Sequence, residues 1–422
     1  MCSFMIDVFY KIIILKDKLI FYMLEGLTGL WDNILMLINV REKTLLFSEI
    51  DKVRPRIVFI GQQINFRIIK HIKWLSDSGR FEIILLQSSL GSLNNISHLT
   101  EVRVFRNKTH LKRMLKHSRN ISFIYSFAAK SSYLVDVVKQ RDYPVLYDPY
   151  DCISVYYGKS PTLKWMKKEV VAEEFCFQNT QYIVARNLEA QATNRIHGIN
   201  KKSRHRILFS DYCDSDQFVC RHIEPSENLI SIVYAGGIYG KGMQKSSHYF
   251  NDFFPIMKIM RREKIHFHIY PGFGTNPKTL SDFSTECATN SFIHLHTTVE
   301  QKSLPDKLAK YHFGVLPHFK EPGSPILESK LIYGTSLKFF NFLEAGIPIL
   351  VSEEMVYMAW LVKRYSIGII FNIGEGSLSE IILASDYKKL KQNVLKVREK
   401  LSMQKNINRL ISFIESANLQ GK

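Results

Sequence analysis

Residues 333–352 read YGTSLKFFNFLEAGIPILVS. A Gly334-Thr335-Ser336 turn leads into a helical stretch with Lys338 in its first turn and Asn341 three residues on. Gly346 ends that helix, and Pro348 starts a short apolar strand. A helix that turns directly into a fully apolar strand is one αβ step of a parallel sheet covered on both faces.

The same step recurs on either side. Downstream lies IGIIFN (367–372). Upstream lie FGVLP (313–317), FIHLH (292–296), KIHFHIYPG (264–272) and LISIVYAGG (229–237), with helices expected about 241–260, 300–310, 336–345 and 377–385. Ser210 to Ser226, SDYCDSDQFVCRHIEPS, breaks the rhythm with Asp, Ser and Pro and reads as a linker. Before it, a first series runs through RIVFI (56–60), FEIILL (81–86), EVRVF (101–105), ISFIYSF (121–127), PVLYD (144–148), QYIVA (181–185) and RILF (206–209). Helices are expected there about 64–77, 130–140 and 187–197. Two series in 422 residues fit the two or three domains that this length allows. The expected fold is therefore α/β, two Rossmann-like domains facing each other across a cleft, with an N-terminal helical extension. The expected divisions are 1–50 (helical extension), 51–222 (first domain), 223–385 (second domain) and 386–422 (C-terminal helices packing back toward the first domain). Open α/β sheets bind ligands at the C-terminal ends of their strands, so a ligand belongs between the two domains.

The formal net charge of +18 points to an anionic partner: nucleic acid, an anionic membrane surface or a phosphorylated substrate. Neither a recognition helix nor a sheet with interleaved basic and aromatic residues is present to read nucleic acid, so no nucleic-acid partner is expected. The six cysteines, Cys2, Cys152, Cys176, Cys213, Cys220 and Cys287, form no Cys-x-x-Cys pair and no zinc-finger spacing with histidine. They read as reduced thiols of a cytoplasmic protein.

The extension carries FMIDVFYKIIIL (4–15) and LIFYMLEGLTGLWDNILMLINV (19–40). The second stretch is long enough to span a bilayer, but Glu25 and Asp32 would each cost roughly 2.5–3.5 kcal/mol at a membrane centre. Glu25, Asp32 and Asn39 are spaced seven apart and line one helical face. The pattern fits an amphipathic helix that either lies on a membrane or packs on the protein. Neighbouring Lys11, Lys16, Lys18, Arg41 and Lys43 suit anionic headgroups, which makes a peripheral site on the inner membrane face one expectation.

A helix N-terminus presents free N–H groups and a positive dipole end, and a lysine there adds a point charge for phosphate. Lys338 followed by Phe340, Phe342, Leu343, Gly346 and Pro348 resembles the nucleotide-binding signature of GT-B glycosyltransferases, particularly the family 4-like enzymes of bacterial polysaccharide and lipid-glycan synthesis. IVYAGGIYGKG (232–242) is similar to the first strand and loop of their C-terminal domain. FIHLHTTVEQKSLPDKLAKYHFGVLPHF (292–319) is similar to the segment that holds the base.

The resemblance implies a transferase that takes a sugar from a nucleotide-diphosphate sugar to a glycan or lipid-linked acceptor, with no cofactor and no metal. It assigns the donor to Gly236, Gly237, Lys241, Thr298, Val299, Tyr333, Gly334, Thr335, Ser336, Lys338 and Asn341. Lys241 and Lys338 are the expected stabilisers of the departing diphosphate. Many retaining members carry Glu, seven residues, then Glu in this region; here Tyr333 and Asn341 occupy those positions.

An inverting reaction needs a base near the acceptor hydroxyl. Asp148 and Asp151 in PVLYDPYDC sit at a strand end and are the candidates. The alternative is that Asp148 caps the turn before Pro149 and Asp151 caps the next helix. Two other functions fit the same fold: a nucleotide-sugar epimerase, and a catalytically silent protein that binds glycan or membrane.

Overall fold

The structure, a computed structural model, describes residues 54–62, 64–88, 99, 101–116, 121–128, 131–140, 143–200, 205–221, 224–226, 229–239, 253–320, 326–372 and 376–420. The N-terminal extension and Lys241 lie outside the described residues. Residues 54–108 and 121–422 belong to one compact unit; the second unit contributes residues 109–116 of the Lys108–Lys116 helix to the described part.

Two parallel sheets organise the larger unit. The first holds β1 (Arg56–Gly61), β2 (Glu82–Gln87), β3 (Glu101–Val104), β4 (Phe123–Ala128), β5 (Val145–Pro149), β6 (Tyr182–Ala185) and β7 (His205–Leu208), in the order β3-β2-β1-β4-β5-β6-β7. The second holds β8 (Ser231–Gly236), β9 (His266–Pro271), β10 (Ile293–Leu295), β11 (Phe313–Leu316), β12 (Ile349–Ser352) and β13 (Gly368–Phe371), in the order β10-β9-β8-β11-β12-β13. Each expected strand is present. Their central members, such as Val58, Ile84, Val233 and Leu350, are fully buried, as both-face coverage requires. Each order reverses beside the first strand, at β1–β4 and at β8–β11. These switch points are where an open sheet leaves a crevice at its strand ends.

Helices for which no bounds were expected from the sequence fill the connections: Ile153–Tyr157, Lys164–Asn179, Pro277–Ala288, Glu328–Tyr333 and Val356–Tyr365. Cys152, Cys176 and Cys213 are buried free thiols. Among the described residues, no helix is long and apolar enough to cross a membrane.

The crossing segment is not a loose linker. Cys213 N donates to Leu401 O (2.8 Å) and Met403 N donates to Cys213 O (2.8 Å), so the outgoing chain is zipped to the returning one. Beyond that point Met403, Ile407, Leu410, Ile411 and Ile414 of the Met403–Gln420 helix enter the first sheet's core beside Ile68, Ile72 and Leu75. Asp214 and Asp216, an Asp-x-Asp pair, are both held by Lys73 at 3.0 and 2.5 Å. Lys70 reaches from the Phe66–Asp77 helix to Glu344 at the end of the Leu337–Glu344 helix, with Nζ 2.6 Å from Oε1. This ion pair ties the two sheet layers together.

One face of β9 and β10 carries a column of histidines. His266 Nδ1 is 2.9 Å from His294 Nε2, and His268 Nδ1 is 3.0 Å from His296 Nε2. The His268 and His294 rings stack at 4.3 Å, and Tyr270 stacks on His296 at 4.4 Å. Burial, and then the neighbouring rings, push His268 down to about 3; His294 and His296 are lowered in the same direction.

A folded-state pKa below the unfolded value means that the unfolded chain binds more protons in that window. Stability therefore rises with pH there, is complete above about 6.5, and is lost as pH falls toward the folded value. His268 alone gives a slope of roughly 1 kcal/mol per pH unit below 6.5. Urea midpoints measured from pH 7.5 to 5 are expected to fall, and His268→Gln is expected to flatten the slope. An unchanged slope in the variant would remove the column from the account.

Candidate active site

The site is built from the C-terminal strand ends of both sheets. β8 ends at Gly236, whose φ of +144° suits glycine alone. A Cβ at this position would lie 2.2 Å from Lys338 Cε, so the lysine stem passes directly over the glycine. Tyr234 braces the turn: its hydroxyl donates to Gly237 O at 2.8 Å. Lys338 Nζ lies 5.2 Å from the Tyr234 ring centroid.

Ser336 caps the Leu337–Glu344 helix by accepting from Lys338 N at 3.3 Å. The sequence places a lysine in the first turn of that helix, and the apolar Phe339, Phe340, Phe342 and Leu343 bury the rest, which fixes its direction. Among the described residues no carboxylate pairs with Lys338. Burial, then Arg186 and Lys330, pull its pKa down to about 8.

The remaining donor candidates fall into two groups. Thr298 is exposed and Val299 is partly buried after β10. Two residues beyond them, Gln301 Nε2 donates to Asn341 Oδ1 at 3.0 Å, which joins this loop to the Leu337–Glu344 helix. Asn341, the residue expected to face a ribose, is 7% exposed, and its amide oxygen accepts from Gln301.

The Gly334-Thr335 turn meets the first sheet's loops. Arg186 Nη2 donates to Thr335 O (2.7 Å), and Asn187 Nδ2 donates to Thr335 Oγ1 (3.4 Å). A Cβ on Gly334 would sit 2.6 Å from Lys330 O and 2.9 Å from Glu189 Oε1. Thr335 is 5% exposed and serves this seam. Tyr333 ends the Glu328–Tyr333 helix beside it and is partly buried.

The two aspartates have different surroundings. Asp148 is 1% exposed. Arg67 contacts Oδ2 at 3.2 Å, and Tyr125 donates its hydroxyl to the same oxygen at 2.8 Å. Burial pushes the Asp148 carboxyl up, against the pull of Arg67 and Tyr125. A carboxylate sealed by a guanidinium and a phenol cannot reach an acceptor hydroxyl. The expectation that Asp148 is the base is corrected accordingly: it anchors Arg67.

Asp151 is open to the site, with its side chain 34% exposed. Tyr156 donates to Oδ1 at 2.7 Å, while Arg186 and Lys330 lie 3.5 and 3.7 Å away. Burial alone pushes its pKa up; Lys330 and Arg186 outweigh that and hold it below the usual carboxylate range.

Sequence reasoning missed Arg186, Lys330, Tyr234 and His318. Arg186 directly follows β6 and His318 lies two residues past β11, so the rule that ligands meet strand ends marks both. Lys330 belongs to one of the helices for which no bounds were expected.

Comparison with known proteins bears on the fold. Residues 261–413 match the model of the glucosyltransferase 3-like C-terminal domain. No curated protein matches the chain. Among solved structures, a sucrose-phosphate synthase from Thermosynechococcus elongatus superposes with a TM-score of 0.62 at 11% identity, over 86% of this chain and 100% of that one. Anabaena HepE in complex with UDP gives 0.62 at 13% identity, over 86% and 100%. An α,α-trehalose 6-phosphate synthase from Burkholderia multivorans gives 0.55 at 10% identity, over 87% and 100%. At such identities the likeness is one of fold, and the family-model match adds the activity class. Residues 261–413 are thus similar to the glucosyltransferase 3-like C-terminal domain, and the two-sheet architecture is the GT-B fold of glycosyltransferases.

Proposed function

We propose that the chain transfers a sugar from a nucleoside-diphosphate sugar to a hydroxyl of a glycan or lipid-linked acceptor, with cationic side chains in place of a metal. The observation that carries this reading is Lys338, half-buried across Gly236 with no described carboxylate partner. An unpaired, half-buried ammonium is costly unless an anion completes it, and a diphosphate between the glycine turn and the helix start would do so. HepE has been solved with UDP and with UDP-glucose, which favours a uridine donor for this chain as well.

In the proposed step the bond between the anomeric carbon and the diphosphate oxygen breaks. An acceptor oxygen bonds to that carbon as its O–H proton passes to the Asp151 carboxylate, and the charge left on the diphosphate falls to Lys338 and the Ser336-capped helix start. Lys241 is proposed as a second cation on sequence grounds alone, since it lies outside the described residues. Asp151, open and held ionised, is proposed to orient the acceptor hydroxyl. Acceptor class, peripheral membrane attachment through residues 1–40 and a cytoplasmic location belong to the same proposal.

The test is release of nucleoside diphosphate from UDP-, GDP- and dTDP-sugars in the presence of pooled glycan and lipid-linked acceptors. One donor is expected to give acceptor-dependent release. No release from any of them, with no thermal stabilisation by the matching diphosphates, would defeat the proposal.

A further inference from the structure

His318 has no role in the reading so far. It lies two residues past β11, the strand that pairs with β8, so it stands at the same sheet edge as the glycine turn. Its ring meets Tyr234 edge-on, with centroids 6.1 Å apart at 89°. Lys338 Nζ lies 5.2 Å from the centroid of the same Tyr234 ring. One tyrosine, locked to Gly237 O by its hydroxyl, is thus flanked by an imidazole from one element and an ammonium from another.

His318 Nδ1 is buried and has no hydrogen-bond partner among the described residues. The residue as a whole is partly exposed. Burial, followed by Lys338 and Lys330, drives its pKa well below the ordinary histidine value, so at neutral pH it is an uncharged imidazole. A neutral imidazole gives no ion pairing to the protein here, yet it retains one N–H donor. An orphaned ring nitrogen beside the Lys338 ammonium, which no described carboxylate pairs, calls for an acceptor from outside the chain.

We propose that His318 belongs to the donor site and that its imidazole N–H hydrogen-bonds an oxygen of the donor diphosphate beside Lys338. This inference rests on the donor reading given above. An anionic oxygen over the Gly236-Gly237 turn would accept from the ammonium and the imidazole together, giving the diphosphate one charged and one neutral donor. The neutral donor is the more selective of the two, because it needs direction as well as charge.

The test is calorimetric binding at pH 7 of whichever of UDP, GDP, dTDP and ADP the parent protein takes up, repeated with His318→Ala, His318→Gln and Lys338→Ala. His318→Ala is expected to weaken binding roughly ten- to a hundredfold, and His318→Gln to recover most of that through its side-chain amide. In long-range proton–nitrogen spectra, the imidazole signals that vanish in His318→Gln are expected to shift when nucleotide is added to the parent. Weakened binding in Lys338→Ala, with unchanged binding in His318→Ala and unmoved imidazole signals, would leave the donor site standing and remove His318 from it. If the parent binds none of the four nucleotides, the donor reading itself fails and the inference falls with it. Should His318→Ala fail to fold, the Gln variant and the spectra of the parent still decide.

Discussion

Lys338→Ala is expected to lower turnover with the preferred donor by about 10²–10³-fold, the usual consequence of losing one preorganised donor to a developing negative charge. The expectation follows from placement. Nζ has no carboxylate to neutralise it among the described residues, and its stem is held over Gly236, where a diphosphate would otherwise meet only backbone. Because its pKa lies at about 8, its charge has a measurable pH signature. The ammonium is charged below that value and neutral above it, so binding of an anion draws a proton onto the lysine at higher pH. Nucleoside-diphosphate affinity is therefore expected to be flat below pH 7 and to fall toward tenfold per unit above about 8. Lys338→Ala should be weak and flat throughout, while Lys338→Arg should hold its affinity to higher pH. A parent affinity that stays constant from pH 7 to 9.5, together with an active alanine variant, would place the phosphate elsewhere.

Much of this fold can be read from local pattern because each strand is a short apolar run closed by a turn residue. RIVFI before Gly61 and IVYAG before Gly237 need no partner to be recognised; their periodicity and burial follow from being covered on both faces. Lys338 is equally visible, since a lysine in the first turn after Gly-Thr-Ser is a local signal. The contacts that local pattern hides depend on residues far away in the chain. Nothing near Asp148 shows that Arg67 will seal it from 81 positions away, or that Arg186 will claim the carbonyl of Thr335 across 149. Asn341 looks free until Gln301, 40 residues earlier, folds onto it. The Glu328–Tyr333 helix carries Lys330 but is too short to show a periodicity of its own. Pairing of polar groups over such separations is decided by sheet order, which helical or strand periodicity does not encode. Those contacts therefore concentrate at the strand ends where the two sheets meet.

Arg67 leads to the other large effect. It lies on the Phe66–Asp77 helix and is 1% exposed. Its guanidinium contacts Asp148 at 3.2 Å and Asp211 at 3.3 Å, while Asp211 Oδ2 accepts from Arg186 Nε at 2.9 Å. Arg186 in turn holds Thr335 O and approaches Asp151. The chain Asp148–Arg67–Asp211–Arg186 thus runs from the first sheet's core to the loop that starts the Lys338 helix. Removing one member of a buried ion pair leaves an uncompensated charge, and losses of about 3–5 kcal/mol are usual. Arg67→Ala strands Asp148, whose remaining support is Tyr125, and leaves Asp211 with Arg186 alone. The expected loss is at or above the top of that range, with a drop in melting temperature of about 6 °C or more. Pairing the substitution with Asp148→Asn should return part of the loss, because the stranded charge goes with it. The connection to Arg186 adds a functional consequence. In the variant that remains folded at low temperature, donor affinity should also fall, because the Thr335 seam sets where the Lys338 helix begins. Stability within 1 kcal/mol of the parent would mean that water or a neighbouring side chain replaces the guanidinium. The buried chain would then be incidental to both the fold and the site.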